Sequence, residues 1–193
     1  VFEDVFLDKT IDVINKMDRM MIRNVANMLR GVRTLEGRLF IMGMGGSAAN
    51  ASHAVNDFRK LANIEAYSPF DNVAEMTARM NDEDWNLSLI RWLETNKLRE
   101  EDVVLFLSVG GGDEKENVSM NLVNAANYAI SQESLTICIV GREGGELAKV
   151  CAFSILIPML YPEFVTPITE AMQSVILHLL VSHPLLASNP TKW

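Results

Sequence analysis

The sequence predicts an α/β domain built on a mainly parallel β-sheet with helices on its faces. Three observations carry this expectation. Short, continuous apolar runs recur along the chain, Val103-Val104-Leu105-Phe106-Leu107 the clearest, as expected of strands covered on both sides. Stretches with helical spacing separate those runs. Two of the runs end in glycine and serine and lead straight into a helix, the first half of a βαβ unit.

The 193 residues, 49% hydrophobic and 22% charged, suit one folded domain over 1–193, with no linker, repeat or low-complexity segment. Residues 1–34 read as one long amphipathic helix. Ile14, Met17, Met21, Val25, Met28 and Val32 form its apolar stripe, while Lys9, Asp18 and Arg23 lie off it. Such a methionine-rich stripe suits an adaptable subunit contact as well as packing on its own domain. Arg38 to Met42 is the first strand, Gly43-Met44-Gly45-Gly46-Ser47 the turn after it, and Ala48 to Leu61 the next helix.

Glu65 to Phe70 reads as a short strand, followed by helices over 72–80 and 84–96. The run at 103–107 enters Ser108-Val109-Gly110-Gly111-Gly112 and then a helix from about Glu116 to Ser131. Leu135 to Val140 and Phe153 to Ile157 are the last two strands, and Thr166 to Ser182 is a closing helix stopped by Pro184.

Charge narrows the partners. With 17 basic against 25 acidic side chains the formal net charge is −8, which repels nucleic-acid backbones and anionic lipid. A small anionic substrate stays compatible, because backbone N–H groups alone can hold a phosphate. Cys138 and Cys151 fall in apolar runs and read as buried thiols, with no disulfide framework or CxxC motif, which fits a reducing cytoplasm. The acidic start VFEDVFLDKT does not look like an export signal. The apolar stretches read as far short of the ~20 residues a membrane span requires.

In open parallel sheets the ligand sits beyond the carboxyl ends of the strands. Gly45 and Gly46 in the first loop, and Gly110 and Gly111 in the second, allow close backbone approach, and Ser47, Ser108 and Ser119 add hydroxyls for a phosphate. Neither loop has dinucleotide or Walker spacing, so no nucleotide is expected. His53 and Asp57 are four apart on one helix face. Glu170 and His178, about two turns apart, share a face of the last helix. These two His/acid pairs could hold one metal ion or supply an acid and a base. His183, beside Pro184, is turned away and reads as structural.

Gly43-Met44-Gly45-Gly46-Ser47-Ala48-Ala49 followed by His53 resembles the GNGGSA segment of sugar isomerase (SIS) domains, in particular the phosphoheptose isomerases. The likeness extends through Asp71-Asn72-Val73, Asn81-Asp82 and Ser108 to Gly112. It runs on through Thr166-Pro167-Ile168-Thr169-Glu170-Ala171-Met172-Gln173 to His178, and so covers nearly the whole chain.

The resemblance implies a three-layer SIS fold with a five-stranded parallel sheet, a homotetramer and active sites shared between subunits. It implies interconversion of sedoheptulose 7-phosphate and a phosphorylated aldoheptose, at the head of heptose supply for surface glycans. By position, His53, Asp57, Glu170 and His178 would be the zinc-binding or acid/base set, with Asp57, Glu170 and His178 as catalytic candidates. Ser47, Ser108 and Ser119 would contact the phosphate, and Asn81 and Asp82 the sugar chain.

Four features depart from the family pattern: Met44 for its Asn, Asp57 for Glu, Glu170 for Gln, and a loop stretched from Ser108 to Ser119, and the stretched loop resembles that of a longer-loop subgroup. Two other readings stay open. One is a SIS module that binds a sugar phosphate or docks on a partner without chemistry; the other is an isomerase for a different sugar phosphate.

Overall fold

The computed structural model describes residues 1–191. Among them, five strands form one sheet in the order β2-β1-β3-β4-β5, every neighbouring pair parallel. The strands are β1 (Arg38–Gly43), β2 (Glu65–Tyr67), β3 (Val103–Ser108), β4 (Leu135–Val140) and β5 (Phe153–Leu156). Parallel neighbours need crossovers, and helices supply them. The helices are α1 (Phe2–Lys16), α2 (Arg19–Thr34), α3 (Gly46–Leu61), α4 (Val73–Asp82), α5 (Ser88–Thr95), α6 (Met120–Ser131), α7 (Gly145–Val150) and α8 (Val165–Ser182).

Alternation along the central strands sorts the core into two layers. Leu39, Ile41, Val103, Leu105, Leu107, Ile137 and Ile139 face one side, where α1, α2, α3 and α8 cover them. Phe40, Met42, Val104, Phe106, Cys138 and Val140 face the other, under α4, α5, α6 and α7. The α/β three-layer architecture is therefore the one expected of doubly covered strands.

Several boundaries differ from the sequence reading, each for a local reason. The N-terminal helix is two helices. Met17 leaves helical geometry at ψ 141°, and Asp18 caps α2 by accepting hydrogen bonds from the Met20 and Met21 amides. α1 docks where Phe2 and Phe6 pack edge-on against Phe164, and Lys9 lies over the Tyr161 and Phe164 rings while pairing with Glu163.

The second strand stops at Tyr67, because Pro69 begins a 3₁₀ turn. α6 starts at Met120 rather than near Glu116, since Asp113 and Val118 pair across a tight antiparallel bridge. α7, only six residues, has no counterpart among the expected helices. The expectation about apolar length also needs correction: Pro162–Ser182 is long and apolar enough for a membrane span by composition. Here it is a core helix, with Ile168, Met172, Ile176, Leu177 and Leu180 buried.

Candidate active site

α3 and α8 lie side by side and run the same way, so residues near their starts meet and residues two turns on meet again. Near the starts, Gln173 is fully buried. Its Oε1 accepts from Ser47 Oγ at 2.9 Å and Asn50 Nδ2 at 3.2 Å, and its Nε2 donates to the Ile139 carbonyl at 3.4 Å. Asn50 Nδ2 also donates to the Glu170 carbonyl at 2.9 Å. Gln173 thus ties both helices to β4 with every polar atom satisfied.

Farther along, three side chains converge. His53 Nε2 is 3.1 Å from His178 Nε2 and 3.2 Å from Asp57 Oδ2, and His178 Nε2 is 3.6 Å from that same oxygen. His178 Nδ1 is 2.8 Å from the Ser174 carbonyl, which only accepts, so Nδ1 carries a hydrogen and Nε2 is the ring atom turned toward the cluster. Asn56 Nδ2 holds the second Asp57 oxygen at 3.0 Å. Lone pairs this close need a shared proton or a cation between them.

The set can hold a metal ion: all three ligand atoms lie within 4.8 Å of one another. Four-coordinate zinc with bonds of about 2.0–2.1 Å separates its ligand atoms by roughly 3.3 Å, and the three separations bracket that value. The backbone bond to His178 and the amide on Asp57 are the supporting contacts such ligands ordinarily have.

Glu170 is not part of this cluster, which corrects the four-residue set expected from the sequence. Two helical turns, roughly 12 Å of rise, separate it from His178. Its carboxyl instead lies against the Cα of Gly46, where a Cβ would stand 2.5 Å from Glu170 Cδ. This places a carboxylate at the N-terminal end of α3, favourable for the helix dipole.

The two glycine loops are also built differently from one another. Gly45, with φ +59°, caps α3. Ser108 Oγ, buried, accepts from the Gly111 amide at 3.0 Å. Gly111 and Gly112 carbonyls accept from the Leu147 and Glu146 amides at 2.8 and 3.2 Å, so the loop after β3 caps α7. A Cβ on Gly111 would fall 1.8 Å from the Gly144 carbonyl oxygen, and one on Gly145 2.3 Å from that of Gly110. The loops after β3 and β4 therefore interlock at glycine–glycine contacts that no larger residue could make.

No family model matches the chain. A phosphoheptose isomerase from Chlorobium phaeobacteroides is 26% identical over 170 residues, spanning 81% of this chain and 72% of that protein. One from Syntrophotalea carbinolica is 29% identical over 176 residues, 87% and 84% of the two chains. The solved phosphoheptose isomerase of Neisseria gonorrhoeae superposes with a TM-score of 0.79 at 20% identity, over 92% and 94% of the two chains. The chain is a SIS-fold relative of the phosphoheptose isomerases.

Within this SIS framework, the remaining predicted residues fall in two places. Gly110 and Ser119 line a cavity of about 490 Å³ at the strand ends, together with Gly112, Arg142, Glu143 and Gly145. Ser119, at the start of α6, has left-handed backbone and makes no side-chain capping bond. Ser47, by contrast, is buried with its hydroxyl committed to Gln173. Asn81 and Asp82 are exposed at the end of α4 and bond to each other at 2.7 Å; they line neither the cavity nor the cluster.

Met44 accepts a weak contact from Asn121 Nδ2 at 3.5 Å and packs on the α4–α7 side of the sheet. Its SIS-loop polarity is thereby replaced by packing. The sequence reading missed Gln173 as the strut and Arg142 at the cavity. The strut's only signal was a lone amide between Glu170 and His178, and Arg142's was a cation set among glycines.

Proposed function

We propose that the protein is a sugar-phosphate aldose–ketose isomerase, with sedoheptulose 7-phosphate to D-glycero-D-manno-heptose 7-phosphate as the preferred interconversion. The observation that carries this reading is the meeting of His53, Asp57 and His178 on an isomerase-related fold. A module that only bound sugar phosphate would need no such grouping of two imidazoles and a carboxylate.

The reaction moves one hydrogen between adjacent carbons through an enediol. A base takes the carbon-bound proton, and a proton donor serves the two oxygens in turn. Asp57 Oδ2 and His178 Nε2 are the carboxylate and imidazole placed for those two tasks. Alternatively, His53, Asp57 and His178 would together hold zinc, which when bound supplies Lewis-acid stabilisation of the carbonyl oxygen; their lone pairs would then be engaged, and Glu170 is the carboxylate left to act as the base. Gly110 and Ser119 hold the phosphate end in the cavity at the strand ends. Glu170 lies against Gly46 at the start of α3, a second carboxylate near the glycine loop after β1.

The reading includes assembly. Phe2, Leu7 and Ile11 on α1, Met20 on α2, and Val175 and Leu179 flanking His178 are exposed apolar side chains suited to contacts in a homo-oligomer, for which a tetramer is our proposal. Asn81 and Asp82 reach a sugar only if a neighbouring subunit brings them to it. The free thiols Cys138 and Cys151 suit a reducing, cytoplasmic setting.

The test is direct. Purified protein is incubated with sedoheptulose 7-phosphate, with zinc or with a chelator, while aldose formation is followed. Turnover that Asp57→Asn abolishes supports the proposal. Phosphate-dependent stabilisation without turnover would replace it with a sensing module, a reading that the apolar Met44 in the first glycine loop favours.

A further inference from the structure

The cavity at the strand ends has an acidic rim: Asp113, Glu116 and Glu143 line it, and Arg142 is its single cation. A dianionic phosphate brought there would meet mainly like charge unless one group reversed the local field. Arg142 is placed to do so. Its Cδ lies 3.9 Å from the position of a Cβ on Gly110, so the side chain extends over the glycine loop after β3 although it grows from the loop after β4.

Two further observations bear on this residue. Arg142 makes no hydrogen bond or ion pair among the described residues, whereas Arg38 is committed to Asp102 and Arg79 to Glu75 and Glu83. Its backbone is left-handed at φ +50°, an uncommon conformation for a long side chain. Gly141, Gly144 and Gly145 surround it, so glycine would be the easy choice at this position too. Retaining arginine in a conformation that favours glycine points to a task for the side chain.

We propose that Arg142 is the phosphate-holding residue of this chain, its guanidinium gripping the phosphorylated end of the substrate against the Gly110 and Ser119 side of the cavity. A guanidinium donates to two phosphate oxygens at once and carries a full positive charge, which a serine hydroxyl does not. Asp113 is held within its own turn, where its Oδ1 accepts from the Lys115 and Glu116 amides at 2.9 and 3.2 Å. The assignment rests on the isomerase reading for the identity of the substrate, but not for the anion.

Inorganic phosphate is the probe, measured by titration calorimetry on the full chain at fixed ionic strength. Arg142→Gln should weaken binding at least tenfold with an unchanged melting temperature in phosphate-free buffer, and Arg142→Lys should recover part of the loss. Lys149→Gln, which removes the same charge from a residue outside the cavity lining, should bind as the unaltered protein does. With sugar phosphate, Arg142→Gln should raise KM and leave kcat within about threefold.

Wild-type affinity in Arg142→Gln, an equal loss in Lys149→Gln, or no phosphate binding by the unaltered protein at millimolar concentration would each overturn the assignment. If phosphate binding follows Arg142 while no sugar phosphate is turned over, the isomerase reading fails and the Arg142 assignment stands. If Arg142→Gln turns over sugar phosphate with a normal KM, the isomerase reading stands and the Arg142 assignment fails.

Discussion

His53 and His178, 125 residues apart in sequence, present Nε2 atoms to each other at 3.1 Å across the seam between α3 and α8. The Ser174 carbonyl engages His178 Nδ1 and leaves Nε2 facing His53, so a bound cation should relieve the contact. Zinc should therefore raise the melting temperature of the unaltered protein, and a chelator should reverse the rise. His53→Ala and His178→Ala should each lose most of that shift while melting close to the unaltered protein in chelator, since both side chains are about half exposed. An equal zinc response in the double variant would remove the metal from this cluster.

Gly46 and Glu170 test whether the second carboxylate matters where it stands. Gly46→Ala places a methyl 2.5 Å from Glu170 Cδ, and the flexible carboxyl end can swing aside. Stability should stay within about 1 kcal/mol, because alanine is favourable in a helix. Turnover should fall, and so should that of Glu170→Ala. Full activity in both variants would assign Glu170 to helix capping alone.

Gln173 is a structural prediction. Gln173→Leu leaves the buried Ser47 hydroxyl without its acceptor and frees the Ile139 carbonyl. The expected loss is about 2–3 kcal/mol in urea denaturation, much larger than for Ser174→Ala at the exposed edge of the same helix.

Acid should act on the docking of α1. Lys9 holds the Glu163 carboxyl below the usual glutamate range, first by its hydrogen bond and then with help from the residue's own backbone. An acid whose pKa falls on folding adds stability above its ordinary value of about 4.3, and that stability disappears as pH drops through the lower folded value. Lys9→Met should melt lower at pH 7, with the gap narrowing below about pH 4; a gap independent of pH would mean that the rings of Tyr161 and Phe164, not the ion pair, anchor Lys9.

Much of this arrangement is legible in the chain. Leu135–Val140 is a strand with the predicted limits, because a doubly covered strand leaves an uninterrupted apolar run with glycine after it. The i, i+4 spacing places His53 and Asp57 together, and the SIS likeness points to His178 as their partner. A shared face with His178 groups Glu170 with them in sequence, but helical rise, which a shared face does not reveal, sets it beside Gly46 instead. The break at Met17 is hidden by an apolar stripe that continues across it, and α7 by its length of six residues. Composition makes ligand groups of Ser47 and Ser108; only tertiary contacts disclose that Gln173 and Gly111 already occupy their hydroxyls.

The meshing of the turns that follow β3 and β4 has a consequence for engineering. With backbone oxygens standing where side chains would grow at Gly111 and Gly145, neither turn has a shape of its own. Grafting one of them alone from a compact-loop relative would collide with the other, whereas exchanging both as a cassette would carry the anion preference along with them.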